Sequence, residues 1–117
     1  AAASASAMQA EGAVAPVTAK ELRRARAQAR AKLQPQIRAL KEKVAKAEAR
    51  ITELEAELET LSEVLFNPKP DTDFAATNKR LKVVQDQLEV FSEEWERDAS
   101  DLERLQREQE AAQEEFA

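Results

Sequence analysis

Residues 33–65 read LQPQIRALKEKVAKAEARITELEAELETLSEVL, and their apolar side chains recur in alternating steps of four and three. The repeat runs through Leu33, Ile37, Leu40, Val44, Ala47, Ile51, Leu54, Leu58, Leu61 and Leu65. A seven-residue repeat of this kind places a narrow apolar stripe, here called the seam, along one side of a helix, and a partner helix winds around it. The stretch therefore predicts an all-α coiled coil before any other motif is considered.

A second seam with the same spacing lies in the C-terminal half of the chain. It consists of Leu81, Val84, Leu88, Phe91, Trp95, Asp98, Leu102, Leu105, Gln109, Ala112 and Phe116. Pro68 and Pro70 separate the two seams, and proline ends a helix because it lacks an N–H and restricts the residue before it. Two long helices joined by a short loop predict an antiparallel coiled-coil hairpin.

The boundaries of the predicted elements follow from capping residues and prolines. We expect a flexible linker at residues 1–17, helix one at 18–66, a loop at 67–72 and helix two at 73–116. Thr18 and Glu21 have the spacing of a capping box at the start of helix one. Thr72 or Asp73 is expected to cap helix two. Pro35 lies inside helix one, so we expect a kink or a short break near residues 34–35.

The two seams also predict how the helices align. If paired residue numbers sum to 142, the seam positions of helix one from Leu33 to Leu61 all meet seam positions of helix two. Ala47 then faces Trp95, a small side chain against a large one, as close packing requires. Asp98, a polar residue of the seam, falls opposite Val44, and one polar seam residue often fixes the register.

Side chains beside the seam are expected to pair across it and at its end. We expect Lys43 to lie near Asp101 and Arg50 near Glu94. Two aromatic residues, Phe66 and Phe74, flank the proline loop. We expect them to cover the end of the seam, and the alternative is a contact with a partner at the tip of the hairpin.

Composition excludes several kinds of chemistry. The chain has 117 residues and a formal net charge of −5, with no cysteine, no histidine and one glycine. It therefore has no disulfide, no thiolate, no imidazole base or metal ligand, and no glycine-rich phosphate loop. With no nucleophile–base pair or metal cluster in the sequence, we expect this chain not to be an enzyme and to need no cofactor or metal.

Targeting signals are equally scarce. No apolar run approaches the roughly 20 residues of a membrane span, so we expect no contact with a membrane. The opening AAASASAMQAEGAVAP has neither the basic head nor the apolar centre of a secretory signal. Because the first residue is not methionine, we expect the chain to be part of a longer protein.

Charge is distributed unevenly along the chain. Residues 1–50 contain 11 basic and 4 acidic side chains, and residues 51–117 contain 7 basic and 19 acidic ones. The basic excess suggests a nucleic-acid contact, because neutralised phosphates dominate such affinity. The candidate residues are Lys20, Arg23, Arg24, Arg26, Arg30 and Lys32. The alternative is a solvated face that complements Glu108, Glu110, Glu114 and Glu115 of the returning helix.

A run of carboxylates in helix one has a structural explanation. It consists of Glu53, Glu55, Glu57, Glu59 and Glu63, which alternate with seam leucines on an exposed rod. Acid–base catalysis needs a shielded site that shifts a pKa, and a rod offers none. We expect Lys79, Arg80 and Lys82 to return beside this run and balance it.

Four motifs in order suggest a family. They are the basic KELRRARAQARAKLQPQIRALKEKV, the acidic ITELEAELETLSEVL, the proline tip FNPKPDTDF, and SEEWERDASDLERL with its Trp-Glu pair. This order resembles the C-terminal extension of ABC-F ATPases, which are soluble ATP-binding-cassette proteins that act on ribosomes. The resemblance covers roughly residues 20–105. No Walker A, Walker B or signature motif is present, so the ATPase activity does not carry over to this chain.

The resemblance implies a role as well as a fold. It implies a cytoplasmic, monomeric helical hairpin that is joined to the ATPase domains of a parent chain and contacts ribosomal RNA or DNA. The residues to which this contact carries over are Lys20, Arg23, Arg24, Arg26, Arg30, Lys32 and Arg38.

Two alternatives remain open at this point. In one, the chain is an oligomerisation or protein-interaction coiled coil, whose seams pair between chains rather than within one. In the other, it is the tRNA-binding arm of a seryl-tRNA synthetase, which is also a long antiparallel hairpin.

Overall fold

The structure, a computed structural model, describes residues 18–115 as a hairpin of two long helices. Helix α1 spans Ala19–Phe66 and helix α2 spans Phe74–Glu115. At 1.5 Å per residue, α1 is about 72 Å long. The predicted all-α antiparallel hairpin is confirmed. The linker expected at residues 1–17 and the seam residue Phe116 lie outside the described residues.

The predicted caps form at the start of both helices. The Glu21 N–H donates to Thr18 Oγ1 at 3.1 Å and the Thr18 N–H donates to Glu21 Oε2 at 3.3 Å, which completes the capping box. Of the two candidates for α2, Asp73 is the cap, because its Oδ1 accepts from the Ala76 N–H at 3.0 Å. The Thr72 hydroxyl instead accepts from a loop N–H. As a cap, Asp73 precedes the helix, so α2 begins one residue later than predicted.

Helix α1 continues through Pro35 without a break. Of the two outcomes expected near residues 34–35, a short break is therefore wrong, and a kink stays a prediction. The turn before the proline gains a side-chain donor, since Gln36 Nε2 donates to the carbonyl of Lys32 at 3.2 Å. Contacts with α2 flank the proline on both sides, since Gln34 bonds Gln109 and Ile37 is buried in the seam.

The seams predicted from the sequence form the interior of the hairpin. Every seam residue within the described range is buried or half-buried, and Leu54 and Val84 are 0% exposed. The indole Nε1 of Trp95 donates to Glu48 Oε1 at 2.9 Å, so the tryptophan lies at the level of Ala47. This contact agrees with the predicted register.

One predicted flanking pair is wrong by a heptad. Arg50 was expected near Glu94, but its Nη2 donates to Gln87 Oε1 at 3.3 Å and its Nη1 to Glu53 Oε2 at 3.0 Å. The guanidinium also lies 6.0 Å from the centre of the Phe91 ring. The cause is geometric. The Arg50 side chain extends toward the loop, so it meets Gln87, which lies one heptad closer to the loop than Glu94.

The second predicted flanking pair, Lys43 with Asp101, forms no ion pair among the described residues. Lys43 lines a groove together with Glu94, whereas its expected partner Asp101 lies 3.9 Å from Arg104 on the same helix. Asp98 lines that groove too and is 8% exposed, with its Oδ1 3.6 Å from Arg97 Nε. The polar seam residue is therefore buried, as its place in the repeat predicts.

The tip of the hairpin differs from the first expectation. Phe66 is 84% exposed and Phe74 is 49% exposed, so the expectation that they cover the end of the seam is wrong. Leu65 is the last seam residue of α1, and a helix turns about 100° to the next residue, which directs Phe66 away from α2. The alternative of a partner contact at the tip stays a prediction.

Candidate nucleic-acid interface

The cations singled out from the sequence occupy the end of α1 that lies far from the loop. We call residues 19–38 the base segment; it contains seven basic side chains and one acidic one. Lys20 and Arg38 lie five helical turns apart and therefore point in the same direction, and Arg24 points about 40° away from them. In the heptad, Arg24 and Arg38 occupy position b, which is turned away from α2. Arg23 is one step of seven before Arg30 and so continues the seam, and its side chain is exposed, as is that of Lys32.

Five of the seven cations are exposed and have no partner in the described part of the chain. Within residues 18–115 they form no hydrogen bond or ion pair through their side chains. These are Lys20, Arg23, Arg24, Lys32 and Arg38. Glu108, which was a candidate to complement them, instead pairs with Arg104 of its own helix at 3.1 Å. The five are therefore available to a partner outside this region.

The other two cations are engaged with α2. Arg30 Nη2 donates to Gln113 Oε1 at 3.4 Å, and the carbonyl of Arg26 accepts from Gln113 Nε2 at 3.4 Å. Arg26 is also half-buried. The sequence contains a signal for this division, because steps of seven back from Ile37 and Leu33 lead to Arg30 and Arg26. Both arginines continue the seam, so they face the returning helix.

The base segment packs through a polar seam that the sequence analysis missed. Gln109 Nε2 donates to Gln34 Oε1 at 2.9 Å, and both side chains are half-buried. Gln109 was recognised as a seam residue, but its partner was not, because Gln34 lies beside the repeat. These glutamine bonds join the two helices without using the five exposed cations.

Two cations nearer the tip are paired with carboxylates. Arg80 Nε and Nη2 donate to the two carboxylate oxygens of Glu57 at 2.6 and 2.8 Å. This bidentate bond lowers the pKa of Glu57 and raises the pKa of Arg80. The bond from Lys82 to Asp86, at 3.0 Å, likewise raises the pKa of Lys82. The expectation that Arg80 returns beside the carboxylates of helix one is confirmed.

The exposed guanidinium and ammonium groups of the base segment are suited to phosphate. Arginine donates in a planar fork that fits two phosphate oxygens, and lysine supplies a mobile point charge. The neighbouring part of α2, residues 101–115, contains two basic and six acidic side chains. A polyanion is therefore attracted to the α1 side of the base and repelled from the α2 side.

Residues 18–115 contain neither a candidate metal site nor a candidate membrane-spanning helix. No group of three or more His, Cys, Asp or Glu side chains is arranged to hold a metal ion. Neither helix contains an apolar stretch long enough to span a bilayer.

Comparison of the chain with protein-family models, with curated proteins and with solved structures finds no match.

Proposed function

We propose that this chain is a non-catalytic helical hairpin of an ABC-F ATPase and helps its parent protein associate with ribosomal RNA or another nucleic acid. The observation that supports this function is the set of five exposed cations in the base segment that have no partner within residues 18–115. Each phosphate that they neutralise releases condensed counterions, which supplies affinity without any sequence-specific contact. The motif order that resembles ABC-F extensions supports the choice of parent.

The contact proposed here is to the phosphate backbone rather than to bases. Stacking platforms for bases need exposed aromatic side chains beside the cations, and the base segment contains no aromatic residue. Trp95 belongs to the seam, and its N–H is used by Glu48. The rod provides reach and stiffness, and the base segment provides a contact that depends on charge and shape.

The hairpin is proposed to act as a monomer beside the ATPase domains of its parent. The seams of α1 and α2 bury one another within one chain, which supports a monomer over seams that pair between chains. The arm of a seryl-tRNA synthetase is the second candidate, since the same cations suit tRNA phosphates. Binding of ribosomes and of tRNA, measured separately, distinguishes the two.

A charge-reversal experiment tests the proposed function. We expect Arg23→Glu with Arg24→Glu to weaken binding to purified ribosomes about tenfold or more at ~0.1 M salt, because two phosphate contacts are lost. The salt dependence of binding should fall by roughly 1.5 in logarithmic slope. The matched control reverses Lys69 and Lys79 near the tip, which changes the net charge equally.

Three outcomes of this experiment decide whether the base segment contributes to binding. Loss in the base variant with little change in the tip variant supports the proposal. Equal losses mean that only the net charge matters, and the base segment then has no special role. Unchanged binding of the base variant, or tight binding of tRNA without binding of ribosomes, contradicts the proposed function.

A further inference from the structure

The two sides of the hairpin are covered differently along its middle. In heptad letters, the seam residues Leu54 and Val84 occupy position d, and Ile51, Leu58 and Leu88 occupy position a. Around a coiled-coil helix, position g lies beside d, and position e lies beside a. We call the d and g side of the hairpin the closed flank and the a and e side the open flank.

Long side chains in position g cover the closed flank. The Arg50–Gln87 and Arg80–Glu57 hydrogen bonds both cross from one helix to the other there. The d residues beneath them are sealed from solvent, since Leu54 and Val84 are 0% exposed. Beside Leu54 and Val84 the closed flank therefore offers no apolar surface to a partner, and the groove of Lys43 and Glu94 lies further toward the base.

The open flank lacks such a cover between residues 48 and 58 of α1. Its e positions on α2 are small, with Ser92 opposite Glu55 and Ala99 opposite Glu48. Apart from the bond between Trp95 and Glu48, no hydrogen bond of the described residues bridges the helices on this stretch. The a residues remain half-buried and form the floor of a groove: Ile51, Leu58, Leu88 and Trp95.

Polar bonds cover the same flank further toward the base. Gln34 and Gln113 occupy e positions there, and they bond Gln109 and Arg30 across the hairpin. The groove itself extends from Glu48 to Leu58 of α1, which is roughly 15 Å of helix. That length fits a few turns of one helix laid along the rod.

Carboxylates line the rim of the groove. Glu48, Glu55 and Glu96 flank the apolar floor. Glu55 and Glu96 form no hydrogen bond or ion pair with any residue in the range 18–115. Two copies of the chain joined through this face would bring like charges together, so a second copy is a poor occupant. A helix with basic flanks complements the rim.

We propose that this groove binds one amphipathic helix of a partner protein, which lays an apolar heptad stripe on Ile51, Leu58, Leu88 and Trp95 and directs lysine or arginine toward Glu55 and Glu96. The result is a local three-helix bundle, in which the third helix covers the a residues as position g side chains cover the d residues. This surface is separate from the cations of the base segment, so it serves a protein partner independently of a nucleic acid.

The chain's single tryptophan lies in the groove and reports on its occupancy. The probe is a synthetic tryptophan-free peptide of about three heptads with leucine and isoleucine at a and d and lysine at e and g. Repulsion between its lysines keeps the peptide from pairing with itself. We expect saturable, blue-shifted emission from Trp95 as the peptide covers the indole, and no shift with a matched peptide that has glutamate at e and g.

Variants of the open flank sharpen the test. Glu55→Lys should weaken binding of the lysine peptide about fivefold or more, because one rim attraction becomes a repulsion. The matched control is Glu93→Lys, which changes the charge equally on the surface of α2 that faces away from α1. Ser92→Arg should abolish binding, since a long side chain bonded to Glu55 would cover the groove as Arg80 and Glu57 cover the opposite flank.

Several outcomes overturn the proposal. They are the absence of a saturable change in Trp95 emission, equal binding of the lysine and glutamate peptides, or equal effects of Glu55→Lys and Glu93→Lys. Normal binding by Ser92→Arg would place the peptide elsewhere. Sedimentation that shows the free chain dimerising, with a matching change in Trp95 emission, would assign the groove to a second copy instead.

Discussion

The middle of the hairpin and its base use the same repeat for different purposes. In the middle, apolar d residues such as Leu54 and Val84 are fully buried. At the base, the contacts between the helices include the Gln34–Gln109 and Arg30–Gln113 bonds, and the less exposed side of α1 contains small alanines. The comparison shows that apolar burial continues from the middle as far as Ile37 and Leu105. Beyond them the base relies on polar bonds, and five of its seven cations form no hydrogen bond or ion pair within residues 18–115.

The largest expected effect is loss of apolar burial in the middle. Leu54→Ala should lower the free energy of unfolding by about 2–5 kcal/mol, because it removes a fully buried side chain and leaves a cavity. Leu33→Ala at the half-buried base is the matched control and should cost about half as much. Urea unfolding followed by circular dichroism measures both. Equal costs would contradict the division between middle and base.

The buried carboxylate at the border of the two regions should give a smaller effect of opposite sign. Asp98→Leu is expected to raise the free energy of unfolding by about 1–2 kcal/mol, since a well-packed apolar side chain replaces a desolvated charge whose nearest cation is 3.6 Å away. Thermal unfolding measures the gain. Unchanged Trp95 emission would show that the register is kept, and a destabilised variant would show that Asp98 has a stronger partner than Arg97.

The pH dependence of the middle should reveal its paired carboxylate. Arg80 lowers the pKa of Glu57 in the folded hairpin, so the stabilisation from this pair is present above the ordinary glutamate pKa. It is lost as the pH falls through the lowered value, because the folded state must then take up a proton that the unfolded chain already holds. Glu57→Gln should remove this part of the pH profile. If the thermal midpoints of the unmodified chain and of Glu57→Gln fall equally as the pH passes from the ordinary glutamate pKa to the lowered pKa of Glu57, the assignment is contradicted.

The smallest expected effect is at the tip. Phe66→Ser should change the free energy of unfolding by no more than about 0.5 kcal/mol, because the ring is 84% exposed. Leu65→Ser, one residue earlier and half-buried in the seam, should cost distinctly more. Denaturant midpoints compare the two. A large cost for Phe66→Ser would mean that the ring packs against the hairpin in solution.

The fold could be predicted from the sequence because a heptad repeat specifies which side of each helix is buried. Steps of four and three identify the buried residues, and Thr18 and Asp73 identify the helix starts through hydrogen bonds to nearby N–H groups. The partner of Arg50 could not be predicted in the same way. It depends on which direction a long side chain follows along the neighbouring helix, and spacing alone does not contain that information.

The candidate interface was predicted less completely than the fold. The cations of the base segment are visible in the sequence, but their availability depends on contacts between distant parts of the chain. Arg30 is held by Gln113, which lies 83 residues further on, whereas Arg24 is free of the described residues. The open flank was not anticipated either, since it results from the small Ser92 and Ala99 facing Glu55 and Glu48.

Pro35 gives the rod a preferred place to bend. A helix that continues through a proline lacks one backbone hydrogen bond and crowds the preceding turn, so tilting the axis there takes less work than elsewhere along α1. Six of the seven cations of the base segment lie on the N-terminal side of this point, and the long arm lies on the other. A force applied to the far end of the arm would therefore bend α1 at Pro35 before it bends elsewhere, and the base segment would keep its orientation.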